Sequence, residues 1–244
     1  MTHNRTSARD RLRAEQQRHK ASEKRRRTVK VAAAVIGALA VATGVGATVA
    51  TQSGGDDEQK SSQSAKPITV GDKGAPAKLT VYEDFRCPAC GQFENTYRST
   101  IKSLEKAGKL RAEYHLVALI DQNMGGSGSK KAANAAACAK DRGKFEAYHD
   151  VLYRNQPAEQ DDAFASTKRL IELAKKVEGL VSPAFEECVS SGKHDAWVSR
   201  SSESFSASGH QGTPTILLDG KNIYADQSNP LTPQKLKKMV EQKS

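Results

Sequence analysis

Cysteine is scarce in this chain of 244 residues, which contains only four. So small a number excludes the disulfide-dense scaffolds of small secreted domains, which depend on several bridges. Two of the four form a Cys-x-x-Cys motif, Cys87-Pro88-Ala89-Cys90, whereas Cys138 and Cys188 stand alone, 50 positions apart. Because no second Cys-x-x-Cys motif or close pair of histidines accompanies the first motif, a tetrahedral zinc site has little support.

Most of the chain also lacks an excess of charge. The formal net charge is +10, but residues 1–30 carry +8 of it and the other 214 residues only +2. A body so close to neutrality is not built to bind a phosphate backbone. We therefore expect no nucleic-acid partner, and the basic character belongs to the first 30 residues.

One segment has no charged residue at all. Residues 31–50 are rich in Ala, Gly and Val, and twenty residues are enough for a helix to cross a bilayer. Lys and Arg are concentrated before this segment and absent just after it, which by the positive-inside rule places residues 1–30 in the cytoplasm. The sequence thus predicts a basic cytoplasmic tail and a transmembrane signal anchor over 31–50. A cleaved signal peptide is the alternative, and both predict that the remainder is extracytoplasmic.

The next sixteen residues, 51–66, have almost no apolar side chains and predict a flexible linker. Residues 67–244 are enough for one well-buried core. Within them a β-branched and aromatic run over 79–85 predicts a strand, residues 91–107 a helix, and residues 110–120 a second strand. This order favours a parallel pair of strands with a crossover helix.

A long helical region follows, and the chain then returns to strands. The dipeptide Asp219-Gly220 between the predicted strands 215–218 and 221–224 indicates a hairpin turn. Thr232-Pro233 begins a last amphipathic helix. Helices are predicted over 129–142, 144–156, 166–177, 183–191 and 194–208.

The Cys-x-x-Cys motif lies where the first strand passes into the first helix. Cys87 would cap that helix, where unpaired backbone N–H groups and the positive end of the dipole stabilise an anion. Its thiol pKa should therefore be low, which suits a nucleophile and leaving group. Cys90, one turn further on, would resolve the mixed disulfide. A purely structural disulfide and half of a zinc site are the alternatives.

A second signal is Gly212-Thr213-Pro214-Thr215, just before a predicted strand. A proline at a strand entry cannot donate to the sheet and is a candidate for a cis peptide bond. Together with the motif and the strand order, this segment resembles the DsbA-like thiol–disulfide oxidoreductases. The run from Asp84 to Cys90 and the Lys144-Phe145…His149-Asp150 pattern resemble the same family.

The resemblance covers residues 67–244 and implies an α/β thioredoxin-like fold with a helical insertion over about 127–208, as in membrane-anchored actinobacterial members. It implies that Cys87 is the nucleophile and Cys90 the resolving cysteine. Thr213 and Pro214 would lie beside the sulfurs and bind the extended backbone of a substrate. For Cys138 and Cys188 we expect a structural disulfide that staples the insertion, with two free thiols or a shuttle to the active-site pair as alternatives.

The resemblance further implies an enzyme that introduces disulfides into exported proteins, is reoxidised by a quinone-linked membrane partner, and needs no metal or cofactor. We expect a monomer. A disulfide isomerase or reductase, or a chaperone-like binder of exported chains, remains an alternative.

Two departures from the family pattern bear on the chemistry. Ala89 stands where strongly oxidising members often have His, and Val81 where thioredoxin-like members often have a buried acid. Glu83 and Asp84 are the nearest acids, and the sequence does not choose between them. His149 is expected to be a core histidine and the pair Asp161-Asp162 solvated surface.

Overall fold

The computed structural model describes residues 65–226 and 228–243. The predicted tail, the anchor and the linker as far as residue 64 lie outside the described residues. Among those that are described, every helix is too short or too polar to span a bilayer. Ala65 is buried and the Lys66 carbonyl accepts a hydrogen bond from the Trp197 indole, so the fold includes two residues that the sequence assigns to the linker.

The five strands that the described residues form make one mixed sheet, in the order β1-β3-β2-β4-β5. β2 and β3 are parallel and are joined by helix α1, as the sequence predicts, while all other pairs are antiparallel. The elements are β1 (Ile68–Gly71), β2 (Ala77–Glu83), α1 (Pro88–Lys106), β3 (Leu110–Leu116), β4 (Thr215–Leu218) and β5 (Lys221–Asn222).

The region between β3 and β4 is helical, as expected for the insertion. Two of its helices begin at serine caps: Ser166 accepts from the Arg169 N–H and Ser182 from the Phe185 N–H. The helices are α2 (Leu119–Met124), α3 (Gly128–Asp141), α4 (Phe145–Arg154), α5 (Thr167–Ala174), α6 (Pro183–Ser191) and α7 (Asp195–Ala207), with a 3₁₀ turn at Ala163–Ala165. Helix α8 (Pro233–Glu241) follows the sheet, and Thr232 caps it.

The core fixes the position of α1 against the sheet. Phe93, Tyr97, Ile101 and Leu104 follow one another at helical spacing and are all buried. β2 lies between two neighbours and has buried residues on both of its faces. The α1 N-terminus therefore lies at the carboxyl end of the central strand, which is where the cysteine motif occurs.

Strand ends differ from the sequence predictions, and side chains that bind the backbone explain two of the differences. β2 stops at Glu83 rather than Phe85, because Asp84 turns the chain by accepting a hydrogen bond from the Arg86 N–H. β5 stops at Asn222, whose side-chain oxygen accepts hydrogen bonds from the backbone N–H groups of Tyr224 and Ala225. The predicted strand 110–120 ends at Leu116 and gives way to α2, and β1 was not predicted.

Candidate active site

The two cysteines of the motif differ in position and exposure. Cys87 is the N-cap of α1, and Pro88 occupies the first helical position, where its missing N–H removes no hydrogen bond. Cys87 and Cys90 are both free thiols. Cys87 is 7% exposed, whereas Cys90 is fully buried. Only the first of the two sulfurs is therefore within reach of another molecule.

The loop before β4 lies against Cys87. The Thr213–Pro214 peptide bond is cis, and the Cys87 thiol donates to the Thr213 carbonyl over 3.3 Å. The pairing of the strands produces this contact, since Tyr82 of β2 lies opposite Thr215 of β4. Thr213 and Pro214 are each half-buried, so the loop remains partly open to solvent beside the sulfur.

The surroundings separate the acidities of the two thiols. A hydrogen bond from Cys90 is the largest cause that lowers the pKa of Cys87, to about 6, with further help from the Thr213 side chain and the backbone N–H groups of Ala89 and Cys90. Burial raises the pKa of Cys90 well above its ordinary value, and the neighbouring Cys87 adds to the effect. The pair is thus polarised, with a stabilised thiolate at the helix N-terminus and a proton held on the inner sulfur.

The structure distinguishes the two acids that the sequence left open. Both oxygens of Asp84 accept backbone hydrogen bonds, one from Arg86 and one from Ile120, at 2.8 and 2.9 Å. Asp84 therefore shapes the turn. Glu83 has one buried oxygen without a hydrogen-bond partner, and its charge contributes to the raised pKa of Cys90. It lies two residues after Val81, hence on the same face of β2 and one step nearer the cysteines.

Glu83 belongs to a buried cluster at the junction of sheet, α1 and insertion. Its Oε1 lies 2.6 Å from His149 Nε2, and Glu94 of α1 and Tyr153 of α4 are also buried there. Burial raises the pKa of each of the two glutamates to about 8 and lowers the pKa of His149. His149 is thus a buried core residue, as predicted, and its partner is an acid next to the redox pair.

Three of these residues bring possible metal-ligand atoms within 4.8 Å of one another, namely Glu83, Glu94 and His149. Two of the three already share the 2.6 Å contact. A second group combines Cys138 and Cys188 with His194, but its two sulfurs are bonded to each other. Neither group therefore indicates a metal centre.

Arg86, directly before Cys87, is the centre of a buried charge network. Its guanidinium lies 2.7 Å from Asp121 and 3.1 Å from Asp162, and it also donates to the carbonyls of Gly125 and Glu159. Asp162 additionally accepts from two backbone N–H groups at the start of α3. The prediction that Asp162 is solvated surface is therefore wrong. Its partners lie 34 to 76 residues away in sequence, so no local pattern indicates them.

Cys138 of α3 and Cys188 of α6 form a disulfide, with an S–S length of 2.06 Å. The bridge joins two helices within the insertion and contains neither cysteine of the motif. It therefore crosslinks α3 to α6 within the insertion.

Comparisons with known proteins identify the family. A family model described as thioredoxin matches residues 63–242. The oxidised DsbA of Mycobacterium tuberculosis aligns with a TM-score of 0.62 and 30% identity, over 72% of this chain and 91% of that one. The reduced form of the disulfide bond oxidoreductase DsbG from the same organism gives 0.63 and 29%, over 74% and 88%.

Curated sequences are more distant. A Bacillus cereus protein named as disulfide bond formation protein D is 24% identical, over 62% of this chain and 69% of its own length. The serine/threonine-protein kinase PknE of Mycobacterium tuberculosis is 26% identical over 66% of this chain, but the match spans only 30% of the kinase. The family model and the structural relatives carry the assignment, and the chain belongs to the thioredoxin family as a DsbA-like thiol–disulfide oxidoreductase.

Proposed function

We propose that the enzyme introduces disulfide bonds into exported proteins, with Cys87 as the exchanging cysteine and Cys90 as the resolving one. The observation that carries the proposal is the polarity of the pair. A disulfide donor is a strong oxidant when its reduced form is stabilised, and the Cys87 thiolate at the head of α1 provides that stabilisation. The greater exposure of Cys87 also selects it as the sulfur that clients reach.

The reaction follows thiol–disulfide exchange. A client thiolate attacks Cys87 Sγ in the oxidised enzyme, a client–Cys87 bond forms, and the Cys87–Cys90 bond breaks with its electron pair leaving on Cys90. The client's second thiolate then attacks the client sulfur of the mixed disulfide, and Cys87 leaves as a thiolate. Two electrons pass from the client to the enzyme, and the client gains one disulfide.

Glu83 is the proton source for Cys90 in this proposal. The leaving Cys90 sulfur must be protonated because its pKa is strongly raised. With a pKa of about 8, Glu83 is mostly protonated at neutral pH and can give up that proton, whereas both oxygens of Asp84 are held by the backbone. Reoxidation returns the proton along the reverse path.

Thr213 and Pro214 would bind the client. Their loop is partly open and in contact with Cys87, and an extended client segment could pair with the Thr213 backbone. Recognition of this kind depends on main-chain hydrogen bonds and on few side chains. It therefore suits an enzyme with many clients.

The location belongs to the same proposal. Residues 31–50 would anchor a monomeric domain outside the cytoplasm, and a quinone-linked membrane protein would reoxidise it. The Cys138–Cys188 bridge supports an oxidising compartment, since structural disulfides are rare in reducing ones. A tether of this length would keep the domain close to a membrane partner.

The test is the equilibrium reduction potential of the Cys87–Cys90 pair in the full-length chain, measured against glutathione. We expect a value well above the glutathione range, together with oxidation of a reduced, unfolded client that Cys87→Ser abolishes. A potential near −270 mV, typical of thioredoxin, would overturn the donor role and assign a reductase or isomerase. Client binding that persists in Cys87→Ser without any exchange in the native chain would assign a chaperone-like binder.

A further inference from the structure

The side chain of Gln156 binds the backbone on both sides of the reactive segment. Gln156 lies in the loop after α4, and its Nε2 donates to the Phe85 carbonyl at 2.9 Å and to the Cys87 carbonyl at 2.8 Å. Carbonyl oxygens can only accept, so the orientation of the amide is fixed, and both of its N–H groups are used. This residue of the insertion thus holds the Phe85–Arg86 and Cys87–Pro88 peptide units, one on each side of the Arg86–Cys87 peptide unit.

Gly91 makes room for this contact. A Cβ atom at Gly91 would lie 2.1 Å from Gln156 Oε1 and 3.0 Å from its Cδ, so the amide rests directly on the bare backbone of the first turn of α1. Glycine inside a helix is less favourable than alanine, so its presence here needs a reason such as this contact. Gly91 and Gln156 therefore work as a pair, and a change at either one separates the amide from the helix.

The two carbonyls matter because they lie close in sequence to the reactive sulfur. The Cys87 carbonyl belongs to the reactive residue itself and already accepts the Gly91 N–H at 3.2 Å, so Gln156 occupies its second lone pair. Carbonyl oxygens carry partial negative charge, which disfavours a thiolate nearby. An amide that donates to both offsets this charge and keeps Cys87 at the helix N-terminus beside Thr213.

We propose that Gln156 is a positioning residue for the redox reaction, which sets the stability of the Cys87 thiolate through the Phe85 and Cys87 carbonyls. This inference rests on the proposed role of Cys87 as the exchanging cysteine. The same loop also holds the other side of the segment, because the Glu159 carbonyl accepts from Arg86. The insertion thereby acts on the reactivity of Cys87 as well as covering the core.

The test uses Gln156→Ala, Gln156→Glu, Gly91→Ala and the double variant Gln156→Ala/Gly91→Ala in the full-length chain. The thiolate absorbance near 240 nm gives the pKa of Cys87, and a reduced model peptide gives the exchange rate. We expect Gln156→Ala and Gly91→Ala each to raise the pKa by about half a unit or more and to slow the exchange. Gln156→Glu, which keeps the shape but replaces the donor with an acceptor, should raise the pKa further.

The double variant should behave like either single one, because each already breaks the contact. Gln92→Ala is the matched control, since this exposed glutamine lies next to Gly91 on α1 and should leave both readouts unchanged. Unchanged pKa and rate in Gln156→Ala and Gln156→Glu, or additive effects of Gly91→Ala and Gln156→Ala, would overturn the inference. Full activity of Cys87→Ser would instead overturn the proposed function, so the two failures are distinguishable.

Discussion

Replacing Cys90 separates the hydrogen bond to the Cys87 thiolate from the other causes of its low pKa. Cys90→Ala removes the donor, whereas Cys90→Ser retains one of similar size. In both variants Cys87 is the last free thiol of the chain, since the other two of the four cysteines are bonded to each other. A pH titration of either variant therefore reports on a single sulfur.

The size of the effect follows from the strength of the bond. A hydrogen bond to a charged group contributes about 1.5–3 kcal/mol, and about 1.4 kcal/mol corresponds to one pKa unit, so Cys90→Ala should raise the pKa of Cys87 by about one to two units. From about 6, the pKa would move to between about 7 and 8. At pH 7 the thiolate fraction of Cys87 would fall from about nine-tenths to between about half and one-tenth.

The rate of alkylation by iodoacetamide as a function of pH measures this change. We expect the midpoint for Cys90→Ser to stay near that of the reduced native chain and the midpoint for Cys90→Ala to lie at least one pH unit higher. The reasoning is refuted if the Ala and Ser variants share one midpoint. A native midpoint close to 8.5 would refute the low pKa itself.

Three further results are expected. Glu83→Gln should slow exchange and abolish the part of its pH dependence that follows the pKa of about 8, because the group can no longer lose a proton; an unchanged profile from pH 6 to 9 would contradict this role. Arg86→Leu should lower the unfolding free energy by about 3–5 kcal/mol in urea, since it leaves buried carboxylates unpaired. A loss below about 1 kcal/mol, typical of an exposed pair, would show that the network is solvated. Replacing Cys138 and Cys188 by alanine should lower the unfolding free energy by about 4 kcal/mol for a loop of 50 residues while leaving the pKa of Cys87 unchanged, and a shifted pKa would indicate coupling between the bridge and the active-site thiols.

Local patterns were sufficient for most of the elements, although not for β1 or α2. Serine and threonine caps, the Asp219-Gly220 hairpin and the strand–helix–strand order are short-range signals, and the structure has each of them. The cysteine motif could be placed at a helix N-terminus because Pro88 and the preceding strand define that boundary. The cis peptide bond before Pro214 was a weak prediction alone, and the cysteine motif and the strand order strengthened it.

The rest depends on contacts between distant parts of the chain. Glu83 and Asp84 are adjacent acids with different surroundings, and only the position of His149 and of the Ile120 N–H separates them. Glu94 shows no sequence signal of its burial, since an acid within a helix is ordinarily exposed. Gln156 likewise contacts residues 69 and 71 positions earlier, which no periodicity can indicate.

The disulfide within the insertion has a consequence for how the enzyme itself matures. Cys138 is only 1% exposed, so a second copy of the chain cannot reach its sulfur once α3 and α6 have packed together. Bond formation that starts at Cys138 therefore requires an insertion that is still open, early in the life of each molecule. A newly made copy is in that respect a substrate of the thiol–disulfide exchange that it later performs, and its yield should depend on the oxidant already present.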